Sequence, residues 1–248
     1  MANPLRTSNP ALSAKTFQGL EAAGEAMTIQ GTVNKASVLL ICVVATAAWT
    51  WGLFVRGNTL DVVFPLMGIG AIGGFVVALV TIWKKSWAAV TAPIYALLEG
   101  LVLGGLSAVL NARFPGIAIQ AVGLTFGTLV CMLLAYRSGA IKVTERFKLG
   151  VVAATGGIAL LYLATMLLGV FGVRMPYIHD SGPIGIGFSV FVVILAALNL
   201  VLDFDFIESG AREGAPKYME WYAAFGLMVT LIWLYMEILR LLSKLRRR

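Results

Sequence analysis

The 248-residue chain has only twelve acidic residues, and several of them stand inside long apolar runs. A carboxyl group in such a place can titrate, bind a hard cation or pair with a base, and it costs several kcal/mol to keep there. The stretch LNLVLDFDFIESG sets Asn199 and Asp203 four residues apart, on one helix face. Asp205 points elsewhere and shares its own face with Glu208; these two read as the solvated end of the segment. Glu99 lies in PIYALLEGLVLGGLS among apolar neighbours, and Gly100 beside it leaves room for another helix. Glu237 and Arg240 are three apart and read as an internal ion pair. Glu220 precedes the last apolar run, where an acid suits the positive end of a helix dipole. Two close carboxyls cannot both ionise freely, so a pair of them would open or close a cation path as pH changes. Oxygen ligands suit Ca²⁺, and Asp203 with Glu99 is the candidate ligand set. Ca²⁺ would be a permeant or bound ion; no resident cofactor is expected.

The composition says what must hold these groups. Hydrophobic residues make up 59% of the chain without its 27 glycines, and charged residues 12%. A soluble domain is about 25% charged. This chain cannot cover a globule with polar surface, which excludes a soluble enzyme, a disordered protein and a nucleic-acid binder. The net charge of +7 reads as loops facing anionic lipid. Cys42 and Cys131 lie in apolar runs and read as small buried hydrophobes, and His179 is the single histidine, so neither a disulfide framework nor a histidine metal centre is expected. Gly68, Gly70 and Gly73 spell G-x-G-x-x-G, but inside an apolar span rather than between a strand and a helix. The chain carries no P-loop, H-E-x-x-H or G-x-S-x-G motif, and it is read as no enzyme.

Seven apolar segments follow one another: 37–55, 62–83, 88–111, 117–136, 149–171, 183–206 and 221–242. Each is long enough to cross a hydrocarbon core of about 30 Å as a helix. The expected architecture is an all-α membrane protein, a seven-helix bundle over 37–243. It follows a polar cytoplasmic tail over 1–36, within which Lys15–Ala26 suits a short surface helix. A basic tail over 244–248 closes the chain. Trp49, Trp51, Trp83, Trp87 and Trp221 mark segment ends, as interfacial rings should; Trp233 is the exception. Loops 2–3, 4–5 and 6–7 hold eight Lys and Arg, Lys84, Lys85 and Lys148 among them, against three on the other side, so the N-terminus is expected inside. Seven spans then put the C-terminal Lys244, Arg246, Arg247 and Arg248 outside, against their preference; a re-entrant last segment is the alternative. Glycines four apart at Gly70/Gly74, Gly100/Gly104 and Gly123/Gly127 suit close helix contacts.

Taken together, the seven spans, EGLVLGGLS in the third, LNLVLDFDFIE closing the sixth and AAFGLMVTLIWLYMEILRLL in the last resemble the Bax inhibitor-1, or transmembrane BAX inhibitor motif, family. The long N-terminal tail and GAPKYMEWYAAFG are most similar to its bacterial YccA-like branch. The resemblance covers residues 37–242. It implies a bundle with a central last helix, a pH-sensitive Ca²⁺ leak and a bacterial inner-membrane location with the N-terminus cytoplasmic. It also implies a proton-sensing pair of aspartates, one late in the sixth helix and one in the seventh. The first matches Asp203, by its spacing to Ile207; Arg240 matches the family's late arginine. The second aspartate belongs ten residues before that arginine, where this chain has Thr230, which cannot titrate. A basic residue after the second helix belongs to the family's gating set, and Lys84 or Lys85 stands there.

The leading expectation is therefore a proton-gated Ca²⁺ or cation leak. Asp203 is its sensor, with Glu99, Glu237 or Glu220 as substitute partner, Glu99 first because it is central. Lys84, Lys85 and Arg240 form a cationic latch, and Asn199 and Thr230 support it. The alternative is a non-conducting regulator that acts on a membrane protease or other membrane partner through its N-terminal tail. A proton-coupled transporter ranks third, because no inverted repeat is visible.

Overall fold

The computed structural model describes residues 25–57, 60–172 and 181–247. The expectations for His179 and for residues 15–24 lie outside them. Among the described residues seven α-helices follow in order: α1 Ile29–Gly57, α2 Leu60–Trp83, α3 Ala88–Arg113, α4 Ile117–Arg137, α5 Glu145–Val170, α6 Pro183–Arg212 and α7 Met219–Leu245. All seven are long and apolar enough to cross a membrane. In hydrocarbon every backbone N–H and C=O needs an internal partner, and an unbroken helix supplies it. Helices α2, α3 and α4 keep within two residues of their expected limits, whereas α1 starts eight residues early and α6 runs six residues further. Residues 29–36, expected in the tail, are thus the first turns of α1. Their polar side chains suit a helix end that rises out of the apolar layer.

The last helix is central. It packs on α1, α3, α4 and α6, and about both its sides buried residues form separate clusters. Tyr222, Phe225 and Met228 join α1 and α3, while Leu231, Leu234 and Ile238 join α4 and α6. Helix α5 packs on α6 alone among broad contacts, through Val151 and Ile158. The other side of α5 is open to lipid, with Leu160 and Met166 exposed.

Small residues decide the tightest approaches. A Cβ on Gly104 would run into the backbone of Ala47 in α1, and one on Gly100 would meet Thr46 and the Val43 carbonyl. Gly70 lies against the Leu98 carbonyl of α3. Gly123 and Gly127 have open space, so the third glycine pair packs against nothing. The G-x-G-x-x-G stretch lies wholly inside α2. Cys131, read as buried, is exposed on α4, and Cys42 is partly buried on α1.

The C-terminus corrects the expected basic tail. Helix α7 is one continuous helix to Leu245, with no re-entrant break, and Lys244 is a buried residue of it. Its ammonium donates to the Gly185 carbonyl at 3.0 Å and the Ser189 hydroxyl at 2.9 Å, both in α6. Arg246 donates to the Pro115 carbonyl and to Gln120. Two charges of the cluster therefore have partners within the bundle, which weakens the topological conflict they posed.

Candidate functional site: a polar seam along α5, α6 and α7

Two stripes of polar residues recur at seven-residue steps. On α5 they are Lys148, Thr155 and Tyr162; on α7 they are Thr230, Glu237 and Lys244. Seven residues are nearly two full turns, so each set stays on one helix face and climbs about 10 Å per step. Helix α6 meets them with Asp205, Asn199 and Ser189, drawn from more than one of its faces, and the side chains meet in rungs.

At the end where α1 and α7 begin, Lys148 pairs with Asp205 at 2.8 Å. Lys148 is buried, so one of the eight charges counted toward orientation is an internal partner. The next rung is Asn199, whose amide donates to Thr155 at 2.9 Å and to the Leu195 carbonyl at 2.8 Å. Beyond it, Tyr162 donates to Glu237 at 3.0 Å and accepts from Arg240 at 2.6 Å, while Arg240 and Glu237 pair at 3.0 Å. The Arg240 guanidinium also lies 4.9 Å from the Tyr162 ring centre. Lys244 with Ser189 forms the last rung. Ionisable or hydrogen-bonding side chains thus line one seam through the whole thickness of the bundle.

Along α6, Asp203 stands between Asp205 and Asn199, one turn from Asn199 on the same face, and is fully buried. It is nine residues from the end of α6, about 14 Å along its axis, and Thr230 is eleven residues from the start of α7, about 17 Å. The two residues therefore face each other's level on adjacent antiparallel helices. Thr230 is buried and turns its hydroxyl to the Gly226 carbonyl.

The remaining candidates lie elsewhere. Glu99 is partly exposed and faces α2: a Cβ on Gly74 would stand 3.0 Å from its carboxyl oxygen, and Tyr95 lies one turn away on the same helix. Helix α7 separates α3 from α6, which share no broad contact, so the expected pairing of Glu99 with Asp203 is not formed. The reason is rotational: Glu99 occupies the α2-facing side of α3, which periodicity alone could not choose. Glu237 lies about 10 Å further along α7 than Thr230, on a rung of its own. Glu208 takes the Tyr136 hydroxyl and pairs with Arg212 at 2.9 Å, so it is bound rather than merely solvated. Among the described residues no three acids, cysteines or histidines cluster to hold a metal.

Glu220 builds a second polar centre, a clasp for the chain's entry. Its buried carboxylate accepts the Thr28 N–H and hydroxyl, each at 2.9 Å, and pairs with Lys35 of α1. Lys217 joins at 3.3 Å; that hydrogen bond holds its ammonium above the usual lysine pKa. Gly214, with φ of +68°, closes α6 in a Schellman turn, Ala215 N–H reaching the Gly210 carbonyl. The turn presents the Ala215 carbonyl to the Met27 N–H at 2.6 Å. Lys84 and Lys85 lie at this same end, in and before the 3₁₀ turn Lys85–Trp87, stacked over the Trp87 and Tyr222 rings at 4.2 and 5.8 Å. Hydrogen bonds to a charged group are worth about 1.5–3 kcal/mol each. Glu220→Gln should therefore speed amide exchange at Thr28 by tenfold or more, while exchange in the centre of α7 stays unchanged; hydrogen-exchange mass spectrometry reads both.

Sequence reasoning missed Thr155, Tyr162, Ser189 and Lys244. The seven-residue repetition on α5 and α7 was the available signal. No curated protein and no solved structure matches the chain. The family model described as Bax inhibitor 1 like matches residues 9–247, nearly the whole chain and all seven membrane helices, and the chain belongs to that family.

Proposed function

We propose that this protein is a proton-gated cation leak, with Ca²⁺ as the permeant ion and no enzymatic step, in the manner the bacterial YccA-like resemblance implies. It would sit in a bacterial inner membrane with its N-terminus cytoplasmic. The observation that carries the reading is a fully buried Asp203 one helical turn from Asn199, which is a member of the polar seam. A carboxyl buried at that depth changes its surroundings when it gains or loses a proton, because a charge there is costly. With Thr230 rather than an acid at the same level of α7, one carboxyl does the sensing rather than two. The rungs at Lys148–Asp205 and Tyr162–Glu237–Arg240 supply the fixed charges on either side of it.

The test is Ca²⁺ entry into proteoliposomes at neutral and mildly acidic pH. Flux should rise with acid in the wild type. In Asp203→Asn, which keeps the shape but cannot ionise, flux should be the same at both pH values. Flux no higher than in empty vesicles would sink the proposal.

A second reading has its own support. Glu220 and Ala215 hold residues 26–28 against the start of α7, and so tie the N-terminal tail to the bundle's centre. A regulator that engages a membrane protease or another membrane protein through that tail would need such a joint. A deletion of residues 1–24 that left every crosslinked partner unchanged would count against it.

A further inference from the structure

Helices α1 and α4 both pack on α7 and on α3 but do not pack on each other. Between them a crevice of about 480 Å³ opens sideways. Its walls include Val44 and Ala48 of α1 with Ile119 and Phe126 of α4, and its floor is Leu103 and Met228. Val44, Ile119 and Phe126 are exposed at the rim, while the floor residues are buried. The few polar groups in it are already satisfied: Ser107 and Tyr235 bond each other at 2.7 Å, and Thr125 donates to the Ala121 carbonyl at 2.8 Å. Nothing in the crevice asks for a polar ligand.

We propose that this crevice holds one acyl chain of an anionic phospholipid. Three observations fix the occupant. The crevice faces the side of a seven-span bundle, where only lipid or another membrane protein can reach it. Its size fits one chain: a cavity of about 150 Å³ takes the six carbons of benzene, so 480 Å³ takes about nineteen. It also runs along α1 from Leu40 to Trp51, eleven residues or about 16 Å, towards the end where α4 begins. At that end stand Trp51, a ring suited to the headgroup level, and Arg246, whose guanidinium bonds Gln120 at 2.9 Å, next in sequence to Ile119 of the wall. Arg246 is placed to meet a phosphate, and an anionic headgroup suits it better than a zwitterionic one.

Native mass spectrometry of the full-length protein, extracted from vesicles of mixed phosphatidylglycerol and phosphatidylcholine, tests this. The wild type should keep one phosphatidylglycerol per chain. Ala48→Phe, which fills the crevice from an exposed rim position, should lose it at least tenfold. Ala45→Phe, exposed on α1 outside the crevice, should keep it. Arg246→Gln should keep a lipid but lose the preference for phosphatidylglycerol. In vesicles with brominated chains, wild-type fluorescence should be quenched more than that of Trp51→Phe. Equal retention by Ala48→Phe and the wild type would overturn the site, as would a detergent adduct in place of phospholipid. Covalent dimers of Ala48→Cys in vesicles would show that a second copy covers the crevice, and would overturn it as well.

Discussion

Gly104→Ala should lower the thermal stability of the detergent-solubilised protein severely, whereas Gly123→Ala should leave it unchanged or raise it. Both glycines lie inside helices and both belong to a small-residue pair, so helix propensity treats them alike: alanine gains about 0.8–1.0 kcal/mol over glycine. What differs is the space for one methyl group. At Gly104 a Cβ meets the Ala47 carbonyl, Cα and carbonyl carbon; at Gly123 it meets nothing within 4 Å. A flexible side chain could turn aside, but backbone cannot. The methyl must push α1 away from α3 along the broadest helix contact in the bundle. Overpacking a core costs about 1–3 kcal/mol, and a backbone contact belongs at or above the upper end. At about 2–4 °C per kcal/mol for a chain of this size, the melting temperature of Gly104→Ala should fall by about 6–12 °C. Gly100→Ala, which meets Thr46 and the Val43 carbonyl, should behave similarly.

The same contrast shows what the sequence could and could not reveal. Three G-x-x-x-G pairs were visible and only two pack, because spacing places small residues on a face without saying which face meets a neighbour. The spans themselves were legible, since an apolar run of membrane length has few alternatives to a helix. Their ends were less so where polar helix turns leave the apolar layer, as at residues 29–36 of α1 and 207–212 of α6. The acids divide likewise. Glu237 and Arg240 are local partners, three residues apart, and the ion pair follows from one helix. Glu220 was read as a dipole acid, yet it serves Thr28 and Lys35, nearly two hundred residues away in the chain, which no local pattern could disclose. Glu99 ranks first as partner of Asp203 because it is central in its span, but depth is only one coordinate. Rotation about the helix axis sent Glu99 towards Gly74 and left α7 between them. Lys148 and Lys244 read as loop and tail charges from their neighbours, and burial beside Asp205 and Ser189 makes them members of the seam.

Arg240→Met should be nearly as damaging as Gly104→Ala, and here the remedy is a second substitution. Glu237 is almost wholly buried, and its carboxylate has two partners, Arg240 and the Tyr162 hydroxyl. Removing the arginine leaves a buried carboxylate with a neutral phenol. Breaking a buried ion pair costs about 3–5 kcal/mol, mostly because the abandoned charge remains. Arg240 keeps 39% of its side chain exposed, so water can answer part of the loss and the lower end applies. Replacing both partners removes the stranded charge. Glu237→Gln with Arg240→Met should therefore recover most of the stability that Arg240→Met loses, because glutamine keeps an acceptor for Tyr162. Melting temperatures of the two single variants and the double variant close a thermodynamic cycle, and its coupling term should be favourable by more than about 1 kcal/mol. A coupling near zero would show that the rung is held by packing around Tyr162 rather than by charge. The seam would then lack one of the fixed ion pairs on which the proposed gating by Asp203 depends.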